Sequence, residues 1–391
     1  MNAHDHREHG SSDRPGVGLL EGRLTPGRAT GSRSRDPVAT YRLRPSVEVF
    51  PASTGELYLL RPGDADLVIR DPSEADVELA RALVRGGTAA ELRRRTGIAD
   101  QALQQKLAAL RSAGVLLEAA THAVLPDSLG ARFDRQLPYL AEAGDPAALQ
   151  QRLRESTVAL LGCGGLGTWA LGGMASAGIG RFVLIDDDTI ELSNLNRQIL
   201  YGVGDLGMPK VERAAAWLQR FDPAIQVAAH RHRVRDTGRL AGLLDGADVL
   251  VLAADWPAYE LGRWVDDACR AARIPFVMAA QVPPMLKVGP TYVPGVSACF
   301  ACQERQIARD FPLYLELTEH RRRDGAPATT LGPASGLVGT VVAMEVMHLC
   351  AGMTPVATQG RSWLIDMRTL ETRWEVIERL DDCPACQHLS P

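Results

Sequence analysis

The chain has 391 residues, more than one ordinary hydrophobic core supports, so two domains plus tails are expected. Its composition is 46% hydrophobic and 23% charged, with a formal charge of −4. That balance is globular and offers none of the clustered cationic surface that nucleic acid demands. No uninterrupted apolar run approaches the about 20 residues that cross a bilayer, which speaks against a membrane.

Residues 1–36 carry Arg, His, Ser, Gly and Pro without hydrophobic period or an apolar signal core. They are expected to be a disordered tail, and the chain cytoplasmic. The cysteine count of seven agrees with a reducing compartment, because four of them form two Cys-x-x-Cys pairs. Lysine is scarce, with only Lys106, Lys210 and Lys287.

A first domain is expected over 37–120. Ser46–Phe50, Gly55–Leu60 and Asp66–Ile69 are short, β-branched or alternating, and separated by turn residues. They predict three antiparallel strands. Helices are predicted from Ser73 to Arg85, from the capping box Thr88–Glu91 to near Gly97, and from Asp100 to Ala113. The last carries Leu103, Leu107 and Leu110 on one face. This winged-helix-like order is similar to the PqqD-like recognition element of ribosomal-peptide modifying enzymes. That resemblance implies a leader peptide added as a strand beside the third strand, against the third helix. A DNA-reading winged helix has nearly the same order, but here the third helix carries only Lys106 and Arg111 as cations. An accessory domain that merely buttresses its neighbour also fits.

Residues 121–150 are read as a connecting helix or linker. From 151 to 391 the pattern becomes strand, glycine loop, helix, strand, which is the signature of a doubly wound, Rossmann-like α/β domain. The buried run Thr157–Leu161 leads into Gly162-Cys163-Gly164-Gly165-Leu166-Gly167 and an Ala/Gly-rich helix to Gly178. Such glycines permit a tight turn and close backbone approach to phosphate at a helix N-terminus. The next strand, Arg181–Ile185, ends in Asp186, nineteen residues beyond Gly167, where an acid meets a ribose hydroxyl. Alone, this pattern says only that a nucleotide binds. A nicotinamide dehydrogenase would share it, but nothing beyond the glycine loop supports hydride chemistry.

The segment Asp186-Asp187-Asp188-Thr-Ile-Glu-Leu-Ser-Asn194-Leu-Asn196-Arg197-Gln198, followed by Gly207-Met-Pro-Lys210, resembles the ThiF/MoeB/ubiquitin-activating adenylyltransferase family. The resemblance spans about residues 130–391, two thirds of the chain. It implies that Asp186 holds the ribose of ATP, that Arg197 and Lys210 grip the triphosphate, and that Asn194 lines the site. Asp188 and Gln198, in the same segment, are read as further nucleotide-site residues. Cations at these points suit the chemistry, since a carboxylate attacking the α-phosphorus must displace a highly charged pyrophosphate. Asp255, after the buried run from Asp248, resembles the family's magnesium-associated acid, although Trp256 follows it where the family usually has Asn. Arg132-Phe-Asp-Arg135-Gln136 resembles the Arg-Tyr-x-Arg-Gln stretch that opens the adenylation domain. In homodimeric members its second arginine reaches the partner's ATP, which makes Arg135 a candidate contact in trans.

Cys299-Phe-Ala-Cys302 and Cys383-Pro-Ala-Cys386 stand eighty residues apart. Two such knuckles complete a closed Cys₄ shell, which predicts a structural zinc tying the C-terminus back to the domain. The leftover Cys163, Cys269 and Cys350 are read as core thiols. Residues 303–335 contain no cysteine, which tilts away from transthiolation. Leu337–Leu349 is expected to be a buried or dimer-interface helix, and Arg321–Arg323 a solvated loop.

The layout looks like the MccB-type enzymes, with a peptide clamp first and an adenylating domain second. The expected activity is Mg-ATP-dependent adenylation of a carboxylate on a leader-bound ribosomal peptide. Activation of a sulfur-carrier protein's C-terminus, as in MoeB- or ThiF-like enzymes, is the first alternative. A non-enzymatic leader-binding scaffold for a YcaO-type cyclodehydratase is the second.

Overall fold

The computed structural model describes residues 39–61, 65–119, 125–324 and 329–389. The expected tail at 1–36 lies outside the described residues.

The N-terminal portion opens with β1 (Thr40–Leu43), β2 (Glu48–Pro51), β3 (Leu57–Leu60) and β4 (Leu67–Ile69). Next come α1 (Glu74–Arg85), β5 (Gly87–Thr88), α2 (Ala89–Thr96), α3 (Asp100–Ser112) and β6 (Leu116–Ala119). Strands β2, β3 and β4 form an antiparallel sheet with β4 at one edge. The alternation read in the sequence is visible here, with Leu57 and Leu59 buried. Helices α1 and α2 each start at a reciprocal capping box, Ser73/Asp76 and Thr88/Glu91. Leu79, Leu83, Leu92, Leu103 and Leu107 close one core with the strands. Strands β1 and β6, which periodicity did not reveal, pair with each other, and β1 also pairs with β5. Arg44 and Ser46, just after β1, meet Glu142 at 3.2 and 2.9 Å.

Short helices α4 (Asp127–Arg132) and α5 (Leu137–Leu140) lead to α6 (Pro146–Glu155). The doubly wound part follows as β7 (Thr157–Leu161), α7 (Gly165–Ala177), β8 (Arg181–Ile185), α8 (Lys210–Phe221) and β9 (Gln226–His230). It continues through α9 (Thr237–Leu243), β10 (Val249–Leu252), α10 (Glu260–Ala272), β11 (Phe276–Val282) and β12 (Met285–Tyr292). The chain ends with α11 (Phe300–Asp310), α12 (Tyr314–Asp324), α13 (Gly332–Ala351), β13 (Arg361–Asp366) and β14 (Thr372–Val376). Eight strands form one sheet in the order β14-β13-β12-β11-β10-β7-β8-β9. Strands β11, β10, β7, β8 and β9 are parallel, and β12 to β14 extend the sheet antiparallel.

Each face of that sheet carries its own core. Val158 and Leu160 of β7 pack with α7, α8 and α13, whereas Ala159 and Leu161 pack with α9 and α10. Leu140 and Leu153, from α5 and α6, are buried in the first of these cores. Helices α7 and α13 lie almost backbone to backbone. A Cβ on Gly173 would stand 2.6 Å from that of Ala343, and one on Gly339 would stand 2.6 Å from that of Trp169. Small residues here are a packing requirement.

Two expectations need correction. Arg321–Arg323 belong to α12 rather than a loop, and Arg321 donates to the Tyr259 hydroxyl at 3.0 Å. Helix α13 also starts five residues earlier than read. Its 20 residues are by length and composition apolar enough to cross a membrane, but they are interrupted by Glu345, and two thirds of the span is buried in the fold. It carries Glu345 and His348 and serves as the central core helix.

Candidate active site

The glycine loop leaves β7 through Gly162, whose φ of +101° favours glycine. Any Cβ there would meet Ala253 and Ala254 backbone at 2.7 Å, just beyond β10. Gly167 is equally constrained, because its Cβ would fall 2.0 Å from the Gly162 carbonyl oxygen. The loop therefore lies on the backbone of its neighbours and presents the N-terminus of α7. Asp186, at the end of β8, fastens it: its carboxylate accepts from the Cys163 N–H at 2.7 Å and the Asp188 N–H at 2.8 Å. Burial pushes the Asp186 carboxyl above its usual range, opposed by these N–H groups and by the Lys210 charge. Each carboxylate oxygen retains a lone pair for a further donor.

The segment from Asp188 to Lys210 wraps across the loop. Asn194 is buried, and its Oδ1 accepts from the Glu191 N–H at 3.1 Å. The Arg197 stem crosses Gly165, where a Cβ would stand 3.2 Å from Arg197 Cδ and 3.0 Å from Ser335 Oγ. The Arg197 guanidinium donates to Ser193 O and Asn196 Oδ1, both at 2.9 Å, and the Trp169 indole N–H holds the Arg197 carbonyl at 3.1 Å. Among the described residues, the Arg197 guanidinium pairs with no carboxylate. Lys210 starts α8, is 6% exposed, and pairs with Asp188 at 2.7 Å. The Tyr201 hydroxyl lies 2.9 Å from Cys163 O and 3.3 Å from Lys210 O, joining lysine and loop.

Residues that sequence reasoning missed complete the wall. Gly332 and Ser335, at the start of α13, meet Asn196 and Gly165, so two helix N-termini converge on one place. Gln281, near the end of β11, donates to Ser335 Oγ at 2.9 Å and to Thr330 Oγ1. The side-chain carbonyls of Gln198 and Gln281 are buried without a partner, an arrangement that natural proteins rarely leave unexplained. The small-residue run Gly332–Gly336 was the available signal, but helix packing alone would account for it.

Asp255 and Trp256 follow β10 by three and four residues and are exposed, with Trp256 at 51%. Asp186, Asp187 and Asp188 hold carboxylate oxygens within 4.8 Å of one another. Such oxygen donors suit a hard divalent cation. Arg135 stands apart, 96% exposed and paired only with adjacent Asp134 at 3.6 Å. Its neighbour Phe133 packs at Gly178, past the far end of α7 from the glycine loop. Thirteen helical residues, about 20 Å of rise, separate the two ends. Arg135 does not reach this chain's own pocket.

On the other face of the domain, Cys299, Cys302, Cys383 and Cys386 are buried together. Three of their sulfur separations are 3.7, 3.7 and 3.6 Å. Four thiolates around zinc at about 2.3 Å stand about 3.8 Å apart, and a disulfide would need about 2.05 Å. The cluster fits zinc. Arg305 grips Asp382 through two nitrogens, at 3.1 and 2.8 Å, and Arg270 donates to Ala385 O at 2.6 Å, so the tail carrying the second knuckle is already seated.

Comparison with known proteins agrees with this geometry. The ThiF family pattern matches residues 133–386. The sulfur carrier protein ThiS adenylyltransferase of Escherichia coli is 32% identical over 258 residues, covering 65% of this chain and 94% of that protein. The molybdopterin-synthase adenylyltransferase of E. coli is 30% identical over 265 residues, covering 68% and 99%. E. coli MccB, solved with ATP, superimposes with a TM-score of 0.69 at 22% identity, covering 89% of this chain and 99% of that one. MccB has also been solved with AMPCPP and MccA. The structural likeness takes in the N-terminal elements that the ThiF match leaves out.

Proposed function

Because the chain belongs to the ThiF family and is an ATP-dependent adenylyltransferase, we propose that it activates a carboxylate of a leader-bound, ribosomally made peptide in natural-product maturation. A carboxylate oxygen bonds to the α-phosphorus of ATP, the bridging oxygen to the β-phosphorus leaves with its electron pair, and acyl-AMP and pyrophosphate result. The observation that carries the reading is Arg197 laid over Gly165 between the N-termini of α7 and α13, with Lys210 joined to the same loop through Tyr201. Amides at both helix ends and the two cations suit the charge that develops as pyrophosphate departs. Asp186 takes the ribose, and the amides of Gly164, Gly165 and Gly167 line the phosphate path beside Asn194 and Gln198, while the Gly162 N–H is bonded to Ile185 O at 2.9 Å and serves the turn instead. Asp255, with Asp187 and Asp188, would hold magnesium, which would supply further charge neutralisation. Zinc in the four-cysteine cluster is structural.

The peptide reading draws on the N-terminal elements shared with MccB, which has been solved with MccA. Strand β4 is an edge of its sheet, and this reading has the leader add there as a further strand. A homodimer in which Arg135 enters the partner's pocket agrees with its exposure, and with the exposed Leu192, Ile199 and Val203 around this chain's pocket. The identity to the ThiS adenylyltransferase favours a second reading, activation of a small carrier protein's C-terminus.

One assay separates these. Labelled pyrophosphate should exchange into ATP only when a carboxylate substrate is present, and exchange should fall by about 10² to 10³ in Lys210→Ala. Exchange with short peptides selects the first reading and exchange with carrier proteins alone the second. No exchange with either class sinks both.

A further inference from the structure

Strand β9 ends at His230, and the next residues alternate in burial. Arg231, Arg233 and Arg235 are exposed, while Val234 is buried beside Leu240 and Leu244. Val234 thus pins the segment and turns its arginines outward. Arg239, in the first turn of α9, joins them, with Nε 3.1 Å from His232 Nε2. Together with Asp236, these side chains line a concavity of about 420 Å³. Four guanidiniums and one carboxylate give it a formal charge of +3, on a chain of net charge −4. The Asp236 carboxylate is engaged, accepting from the Arg239 N–H at 2.8 Å to cap the helix. Among the described residues, no carboxylate lies within ion-pair distance of these four arginines, whereas Arg154, Arg213, Arg263, Arg270 and Arg305 all have one. Crowded like charges without counter-charges raise the local potential and attract an anion.

Position narrows the choice of anion. Strands β8 and β9 are parallel with Ile185 opposite His230, and the Asp186 N–H donates to His230 O at 3.3 Å. The arginines therefore leave the sheet on the same edge as the ribose acid, one strand away, about 4.8 Å. The concavity has no Phe, Tyr or Trp on which a base could stack. Planar guanidiniums match carboxylates two bonds at a time. Spacing at every second residue matches the same-side spacing of an extended peptide.

We propose that Arg231, Arg233, Arg235 and Arg239 form a docking site for an acidic stretch of the peptide substrate, with carboxylates at alternate positions, beside the adenylation pocket. This rests on the peptide-activation reading and adds to it a substrate class, a peptide rich in Asp or Glu.

The test uses the full chain without ATP. Fluorescence anisotropy would follow a fluorescein-labelled peptide of alternating Glu and Gly, with the Gln/Gly peptide as control. The Glu peptide should bind, and should weaken by about tenfold or more in Arg233→Glu/Arg235→Glu. It should also weaken as salt rises from about 50 to about 200 mM. The Arg233→Gln/Arg235→Gln pair, with an unchanged melting curve, should show an intermediate loss. Unchanged affinity in both variants, or equal binding of the Gln peptide, overturns the proposal. Tighter binding of tripolyphosphate or an RNA oligonucleotide, lost in the same variants, would also overturn it, by assigning the arginines to phosphate. Pyrophosphate exchange reports separately. Failure of exchange with anisotropy intact sinks the adenylation reading, and the converse sinks only this site.

Discussion

The nucleotide pocket and the four-cysteine cluster are built on opposite logics. The cysteines converge at spacings that already match a metal's own geometry, inside a shell whose surrounding polar groups are paired. The pocket holds groups in reserve: among the described residues, Arg197 is bonded only to neutral oxygens, and the Gln198 and Gln281 carbonyls are buried without partners. A structural site is satisfied within the chain, whereas a reactive one keeps unmet bonding capacity that a substrate fills.

Breaking each region should give different symptoms. The largest effect is expected from Cys302→Ser/Cys386→Ser. Metal analysis should show loss of about one zinc per chain, and the melting temperature should fall by about 10 °C or more, because structural zinc contributes folding energy directly. Wild-type protein without zinc, and as stable as the variant, would erase the contrast. Lys210→Ala should instead lower exchange by about 10² to 10³ while melting changes by only a few degrees, since its partner Asp188 is exposed. Equal losses of stability and exchange would make Lys210 a structural residue. Gly165→Ala is a finer probe. Its Cβ presses on Arg197 Cδ and Ser335 Oγ, so exchange should drop about tenfold, with melting held by the better helix former. Unaltered exchange would mean that the position of Arg197 is not critical.

The smallest effect concerns the end of α13 far from the pocket. His348 stacks on Tyr139, with 2.6 Å between Nε2 and the hydroxyl, and Glu345 lies one turn back. Burial lowers the His348 pKa below its ordinary 6.5, against the opposing pull of Glu345. A histidine held neutral in the folded state costs stability once pH falls through its unfolded value. The melting temperature should therefore decline from pH 8 to pH 5, and the decline should flatten in His348→Phe, with exchange at pH 8 unchanged. A parallel decline in both proteins would remove His348 as its source.

Legibility in the sequence followed the range of the interactions. Gly162 to Gly167 and Asp186 lie within one continuous stretch where turn, strand and helix signals overlap, whereas Arg197 and Lys210 were legible only through the family resemblance of the segment that follows. The cysteines, eighty residues apart, were legible because metal ligation needs the same paired spacing in any fold. The capping box at α2 was legible for the same local reason. Strands β1 and β6 were not, since their pairing partners lie more than 70 residues apart.

The strand–glycine loop–helix unit from Thr157 to Gly178, the acid Asp186 after the next strand and the two Cys-x-x-Cys pairs were determined by the sequence itself, because hydrophobic period, turn chemistry and ligand spacing are short-range properties. Only the tertiary structure decided that Ser335 reaches the glycine loop and Gln281 reaches Ser335, that Arg135 stands at the wrong end of α7 for its own pocket, and that Arg231 to Arg239 share one concavity. Those outcomes depend on sheet order and on the close contact of α7 with α13, and long-range packing of that kind leaves no periodic mark in the chain.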